Sequence, residues 1–80
     1  ITKNDDGSVL ADGNINVRDL NKFMGWKLSE DGEKTLSGLV IDHLDQIPMA
    51  NVCINLDGYK VETTHLENNV IRQVRVSKIN

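Results

Sequence analysis

The sequence predicts an α+β fold, in which two helices pack on a small antiparallel sheet that ends in a three-strand meander. Two helical stripes of apolar residues occupy the first half of the chain, and three stretches of alternating apolar residues occupy the second half. Because helices and strands form separate runs, a parallel doubly wound sheet is not expected. With 80 residues, we expect a single domain over residues 1–80 with a thin core.

The first predicted strand lies between two turns. Asp6-Gly7 and Asp12-Gly13 are strong turn pairs, and residues 8–11 between them can form a short strand. Glycine in each pair supplies the backbone freedom that a tight turn requires.

The first predicted helix begins after Asn16, a favourable N-cap, and ends at Gly25, a C-terminal cap. Spacing at i, i+3 and i+7 gives it an apolar face, which Phe23 widens. The residues of that face are Val17, Leu20 and Met24. A polar connection over residues 26–34 follows, with Trp26 and Leu28 as its apolar anchors.

The second predicted helix runs from about Thr35, a possible N-cap, to Asp45, and Pro48 forces its end. Its stripe has the helical period. The stripe consists of Leu36, Leu39, Val40, His43 and Leu44, so His43 is expected to be a partly buried packing residue.

Two hairpin turns divide the remaining residues into three strands. Asp57-Gly58 predicts a turn of the primed type, and Asn68-Asn69 predicts a second tight turn, since asparagine tolerates positive φ. The first two strands alternate. Their inward residues are Val52, Ile54 and Leu56, followed by Tyr59, Val61 and Thr63, and Cys53 is expected to be half-buried.

Strict alternation in the last strand, Val70 to Val76, places Val74 and Val76 on one face and Ile71 on the other. The exposed side of this strand, through Ile71 and Arg75, is the predicted interaction surface.

Composition excludes several classes of partner. The net charge is −3 and the charges are interspersed, so no basic stripe for nucleic acid is present. The longest apolar run is far too short to span a bilayer, and direct membrane insertion is not expected. The lone Cys53 cannot form an internal disulfide bond.

No residue pattern indicates catalysis or a cofactor. His43 and His65 have no second ligand at metal-binding spacing, and neither a nucleophile motif nor a phosphate loop occurs. The turn acids Asp5, Asp6 and Asp12 are weak candidates for a surface cation site. However, the glutamate that closes an EF-hand loop is missing, and solvated turn acids are the preferred interpretation. We therefore predict that the chain is not an enzyme.

The order and spacing of short motifs resemble the CorC/HlyC family, also called the transporter-associated domain. The resemblance extends from about Asp6 to Val76. The motifs are Asp6-Gly7-Ser8, Asp12-Gly13, Arg18-Asp19-Leu20-Asn21, Gly25, Thr35-Leu36-Ser37-Gly38-Leu39-Val40, Ile47-Pro48, Gly58-Tyr59-Lys60-Val61-Glu62 and Arg72-Gln73-Val74-Arg75-Val76. Ala50-Asn51 departs from the pattern, because a glycine is expected before the hairpin.

This resemblance implies a C-terminal fragment of a larger bacterial membrane protein, in which the domain follows a transmembrane domain and a pair of CBS domains. Such proteins are linked to magnesium and cobalt efflux or are labelled haemolysins. The implied role is non-catalytic modulation of ion transport at the cytoplasmic face of the inner membrane. The implied partners are the CBS and transmembrane domains of the same protein, and the domain could also form a homodimer. The implied fold is similar to a subdomain of FAD-binding oxidases, a likeness of fold only.

Two other functions stay open. A small-molecule sensor would bind a nucleotide or FAD-like ligand through backbone amides near Gly7, Gly13 or Gly58, beside a wall formed by Trp26 or Tyr59. A direct divalent-cation sensor would use the acidic turns.

Overall fold

The computed structural model describes residues 1–30, 32 and 34–79, which form two helices and one antiparallel sheet of five strands. The strands are β1 (Thr2–Lys3), β2 (Val9–Asp12), β3 (Cys53–Leu56), β4 (Tyr59–Glu67) and β5 (Val70–Lys78), and the helices are α1 (Val17–Met24) and α2 (Leu36–Leu44). The strand order β1-β2-β5-β4-β3 contains the predicted meander and confirms the α+β class. It also makes β5 the central strand, because β2 pairs with its other edge.

One hydrophobic core lies between the helices and one face of the sheet. Alternate residues of β2, β4 and β5 point into it, and the first turns of both helices supply its other side. The buried apolar residues are Val9, Ala11, Val17, Leu20, Leu28, Leu36, Val40, Tyr59, Val61, Ile71, Val74 and Val76.

Both helices have the predicted N-caps. The Oδ1 atom of Asn16 accepts a hydrogen bond from the Arg18 amide at 2.9 Å, and the Oγ1 atom of Thr35 accepts one from the Gly38 amide at 3.1 Å. Gly25 adopts φ 70° at the end of α1, as expected for its C-terminal cap. With eight and nine residues, neither helix in the described part of the chain is long and apolar enough to cross a membrane.

The predicted burial of two helical residues, Phe23 and His43, is wrong. Phe23 is 57% exposed and does not widen the apolar face of α1. His43 is also exposed, although the helical period places it on the same side of α2 as the buried Leu36 and Val40. An apolar stripe predicts which side of a helix faces the core. How many residues of that side become buried depends on the parts of the fold that pack against the helix.

The connection between the helices is held by side chains from distant positions. The amide group of buried Asn21 bonds both backbone groups of Leu28, at 2.9 and 3.0 Å, and donates to Glu30 at 3.1 Å. The hydroxyl oxygen of Tyr59 accepts a hydrogen bond from the Lys27 amide at 2.9 Å. Leu28 is buried as predicted. Within the predicted polar connection, residues 31 and 33 lie outside the described residues.

Both predicted hairpin turns are confirmed. Asp57 and Gly58 have φ angles of 50° and 87°, and Asn68 and Asn69 have 52° and 65°. Positive φ at both central residues is the signature of a type I′ turn, which matches the twist of the flanking strands. Cys53 is exposed rather than half-buried, since the alternation of β3 points it away from the core.

The predicted orientation of Ile71 is wrong because β5 contains a bulge. Ile71 pairs with Leu66 and Gln73 pairs with His65, so Arg72 is an extra residue in β5. A bulge shifts the alternation of side chains by one position. Ile71 therefore faces the core and is only 2% exposed, which removes it from the predicted interaction surface.

Candidate interaction surface

The face of the sheet opposite the helices carries a row of side chains that crosses all five strands. The register places Thr2 beside Leu10, Leu10 beside Arg75, Arg75 beside Glu62, and Glu62 beside Cys53. Directly opposed residues in antiparallel strands point to the same face, so these five form a continuous strip, here named the outer row. Leu10 and Glu62 are half-buried and the other three are exposed.

Arg75, at the centre of the outer row, is held by the turn that precedes β2. Its Nη2 atom donates to Oδ2 of Asp6 at 2.6 Å, and its Nε atom donates to Oγ of Ser8 at 3.3 Å. Ser8 in turn donates from its backbone amide and its hydroxyl to Oδ1 of Asp6, at 2.9 and 2.6 Å. Asn4 donates from its side-chain amide to the Ser8 hydroxyl at 3.0 Å. These four residues are named the Asp6 cluster.

The Asp6 cluster strongly favours an ionised carboxylate. Hydrogen bonds from the Ser8 hydroxyl and the Ser8 amide, together with the guanidinium of Arg75, lower the pKa of Asp6 from 3.8 to about 2, against a smaller opposing effect of desolvation. At neutral pH the cluster therefore contains a full ion pair, and both charged groups are held in fixed positions on the surface.

A shallow depression of about 290 Å³ lies beside the cluster on the outer face. It is lined by Asp6, Lys60, Glu62, Arg75 and Ser77. Two acids, two bases and a hydroxyl group in one depression suit a partner segment that carries charges of both signs. Nucleophilic chemistry would require a hydroxyl or thiol group beside a general base and an orienting group. Among the residues that line this depression, Ser77 is the one that carries a hydroxyl group.

The predicted cation ligands do not converge. Asp6 directs both carboxylate oxygens to partners inside its cluster, and Oδ1 of Asp12 accepts from the Asn14 amide at 2.9 Å. Asp5 is exposed on the same turn as Asp6. Across the described residues, no three His, Cys, Asp or Glu side chains come close enough together to hold a metal ion. The acids do not fit a metal site, and their hydrogen bonds are those of turn-stabilising residues.

Several of the groups expected for a small-molecule sensor are engaged within the fold. The amides of Gly7 and Gly13 donate to backbone carbonyl groups at 3.2 and 3.0 Å. The rings of Trp26 and Tyr59 pack against each other, with centroids 5.2 Å apart and a tilt of 45°. These contacts use the amides and aromatic faces that a nucleotide or flavin-like ligand would need.

Of the two residues predicted for the interaction surface, the structure places Arg75 on the exposed face and Ile71 in the core. Sequence reasoning missed the neighbours of Arg75, namely Leu10, Glu62 and Ser8. Their proximity depends on the pairing of β5 with β2 and β4, which connects residues far apart in the chain. The Asp6-Gly7-Ser8 turn was the available local signal, because an aspartate two residues before a serine can accept from its amide.

Comparison with known sequences gives a consistent result over nearly the whole chain. The family model CorC_HlyC, described as the transporter associated domain, matches residues 2–80. The UPF0053 inner membrane protein YfjD of Escherichia coli K12 is 37% identical over 76 residues, which are 95% of this chain and 18% of that protein. The chain thus spans less than a fifth of the length of this relative.

Solved structures share the architecture. A functionally unknown conserved protein from Haemophilus influenzae Rd KW20 has a TM-score of 0.84 at 35% identity, covering 96% of this chain and 95% of that one. The transporter associated domain of a hemolysin from Xylella fastidiosa Temecula1, solved in complex with Mg²⁺ and Mn²⁺, has a TM-score of 0.82 at 25% identity and covers 100% and 96% of the two chains.

Proposed function

The chain belongs to the CorC_HlyC family of transporter-associated domains, and we propose that it modulates divalent metal ion transport, of magnesium or cobalt, by a CBS-domain-containing membrane protein. In this proposal residues 1–80 are one non-catalytic accessory domain at the C-terminus of the parent protein. The domain lies at the cytoplasmic face of the bacterial inner membrane. Its partners are the CBS and transmembrane domains of the same protein.

Two relatives support this assignment. One similar protein is described as an inner membrane protein, and a similar domain was solved with two kinds of divalent cation. In the present chain the turn acids are occupied by hydrogen bonds within the fold. We therefore assign modulation to contact with neighbouring domains rather than to a cation held by these acids.

The observation that carries the proposal is the arrangement of charges on the outer face of the sheet. Arg75 is fixed by Asp6 on one side and lies beside Glu62 on the other. Contacts between domains of one chain are generally more polar than permanent interfaces, and fixed charges of both signs determine the orientation of a partner. The outer row therefore has the character of a surface for a contact that can form and release.

The test measures transport by the full-length parent protein that carries this domain. Arg75→Glu reverses the central charge of the outer row and repels Asp6 and Glu62. Arg72→Glu is the matched control, because Arg72 is exposed on the same strand but lies outside the Asp6 cluster. Efflux of Mg²⁺ and Co²⁺ from loaded cells is recorded at equal protein abundance.

We expect Arg75→Glu to change the transport rate at least about fivefold, the size of a modest coupling between domains, and Arg72→Glu to leave it unchanged. Deletion of residues 1–80 from the parent is expected to change the rate in the same direction. If both the deletion and Arg75→Glu leave efflux of both ions as in the parent, the proposal is wrong.

The alternative role, a sensor that binds a nucleotide or FAD-like ligand, has no comparable support. Several of its expected binding groups are engaged within the fold, namely the amides of Gly7 and Gly13 and the packed rings of Trp26 and Tyr59. The similarity to a subdomain of FAD-binding oxidases remains an expectation about the fold. Saturating stabilisation of the chain by FAD, ATP or AMP in a thermal-shift series would reverse this preference.

A further inference from the structure

The two edges of the sheet differ in how they are protected. At one edge β1 has only two residues, of which Lys3 is charged, and the acids Asp5 and Asp6 follow closely. At the other edge lies β3, and the segment 51–56 around it contains no charge and no proline. Short edge strands, charges and prolines are the devices by which sheets avoid pairing with other chains. The β3 edge lacks the charges and the proline.

The backbone of β3 presents hydrogen-bonding groups outward at alternate residues. Leu56 and Tyr59 close a two-residue hairpin, so the backbone groups of Leu56 point toward β4. The same alternation turns Ile54 and Val52 toward β4, and the carbonyl oxygen of Val52 does accept from the Thr63 amide at 2.9 Å. The N–H and C=O groups of residues 53 and 55 consequently point to the free edge. Within the described residues, β3 pairs with β4 alone.

The side chains along this edge are apolar on one face. Val52, Ile54 and Leu56 are half-buried and pack against the core from its border. A strand added at this edge would extend the sheet over the open side of these three residues. Backbone hydrogen bonding and the burial of apolar side chains therefore both favour the addition of a strand at the β3 edge.

We propose that β3 pairs with β3 of a second copy of this chain, antiparallel and about a two-fold axis at Ile54. In this register Ile54 lies opposite Ile54 of the second copy, and Val52 lies opposite Leu56. Residues 53 and 55 exchange hydrogen bonds, because Cys53 lies opposite Asn55 of the second copy.

The strand is complementary to itself, which is the reason for choosing a second copy as the partner. An axis at residue 54 matches every outward N–H with an outward C=O and overlaps the three apolar side chains completely. No like charges oppose each other along the paired segment, although the chain as a whole carries a net charge of −3. The result is a continuous sheet of two copies with an isologous interface.

The inference is independent of the proposed transport role. It would connect the outer rows of two copies, because each row ends at Cys53 on β3. An interface built on one short strand lies at the small end of specific interfaces, so the dimer should be weak. Measurements therefore have to reach high protein concentration.

Sedimentation equilibrium of the 80-residue chain, up to about 1 mM, is the primary test. Asn55→Pro removes an outward N–H group and inserts proline at an edge position where the fold tolerates it. Asn55→Ala alters the same side chain but keeps the N–H group and is the matched control. We expect the wild type and Asn55→Ala to dimerise alike, and Asn55→Pro to raise the dimer dissociation constant at least about tenfold. Thermal unfolding by circular dichroism verifies that each variant folds.

Chemical cross-linking provides a second measurement. Cys53 is the only cysteine in the chain. In the proposed register the two Cys53 residues are diagonal neighbours, about 7–8 Å apart, a distance that a short bismaleimide spans. We expect a covalent dimer of the wild type and its loss in Asn55→Pro. A chain that stays monomeric at all concentrations, or a dimer that Asn55→Pro leaves intact, would overturn the proposal.

Discussion

The carboxylate of Asp6 lies 2.6 Å from Nη2 of Arg75, a residue 69 positions further along the chain. This ion pair joins the turn before β2 to the central strand of the sheet. The Asp6 and Arg75 side chains are 55% and 44% exposed, so solvent screens the pair and it contributes little to the stability of the fold. Its main consequence is positional, because it fixes one positive charge in the middle of the outer face.

The Asp6 carboxylate should make stability depend on pH in the acid range. Its folded-state pKa is lowered from 3.8 to about 2, so its stabilising contribution is complete above the unfolded value and is lost as the pH falls toward 2. We expect Asp6→Asn to lower stability at neutral pH and to reduce the acid-induced loss between about pH 5 and about pH 2. Urea unfolding across this range measures both effects. Asp5→Asn on the same turn is the control and should retain the acid-induced loss.

Asn21 should be the most sensitive polar residue of the helical layer. Asn21→Ala leaves the buried amide and carbonyl of Leu28 without their partner, and we expect a loss of about 2–3 kcal/mol in the free energy of unfolding. Asn14→Ala, at an exposed turn position, should cost less than about 0.5 kcal/mol. Chemical denaturation followed by Trp26 fluorescence compares the two. Equal losses would show that the Asn21 bonds to Leu28 do not stabilise the connection.

Gly13 is required by close packing rather than by its φ angle. A Cβ atom at this position would overlap the backbone carbonyl of Ile71, and the Gly13 amide donates to the carbonyl of Arg72 at 3.0 Å. Because no side-chain rotation can relieve a clash with backbone, Gly13→Ala should cost about 3 kcal/mol. Gly25→Ala meets no atom within 4 Å and should cost about 1 kcal/mol from its positive φ. Thermal unfolding tests this ranking, and the reverse order would contradict the packing argument.

Tyr59 combines two separable contributions. Tyr59→Phe removes the acceptor for the Lys27 amide but keeps the ring that packs on Trp26, so we expect a loss of about 1–2 kcal/mol. Tyr59→Leu removes both contacts and should cost more. The measurement is urea unfolding of the two variants beside the wild type. If the two losses are equal, the ring contact with Trp26 contributes nothing to stability.

Local patterns predicted most of the elements. Asn16 and Thr35 begin the helices because their side chains accept from amides two or three residues on, and the Asp57-Gly58 and Asn68-Asn69 turns depend on residues that tolerate positive φ. These interactions lie within a few residues of chain, so sequence spacing suffices to identify them. Strand β1 was not predicted from the sequence. A strand of two residues forms only where a partner strand, here β2, is available for pairing.

The prediction of Ile71 and Arg75 as neighbours on one surface shows where spacing fails. Alternation assumes an unbroken ladder, but the extra residue at Arg72 turns Ile71 into the core. A bulge depends on how two strands fit each other, and neither strand contains that information alone. Phe23 and His43 are likewise exposed although the helical pattern predicted burial, since the burial of a helical residue depends on what the rest of the fold packs against it.

By itself, the sequence determined the α+β class, both helices with their caps, the positions of the two hairpin turns and the resemblance to one family. Each of these follows from short-range stereochemistry or from the order of short motifs. The tertiary structure alone decided that β5 is central, that Arg75 is held by Asp6 and Ser8, and that β3 is left as an uncharged free edge. These features arise from pairing between residues up to 69 positions apart, where chain spacing carries no geometric information.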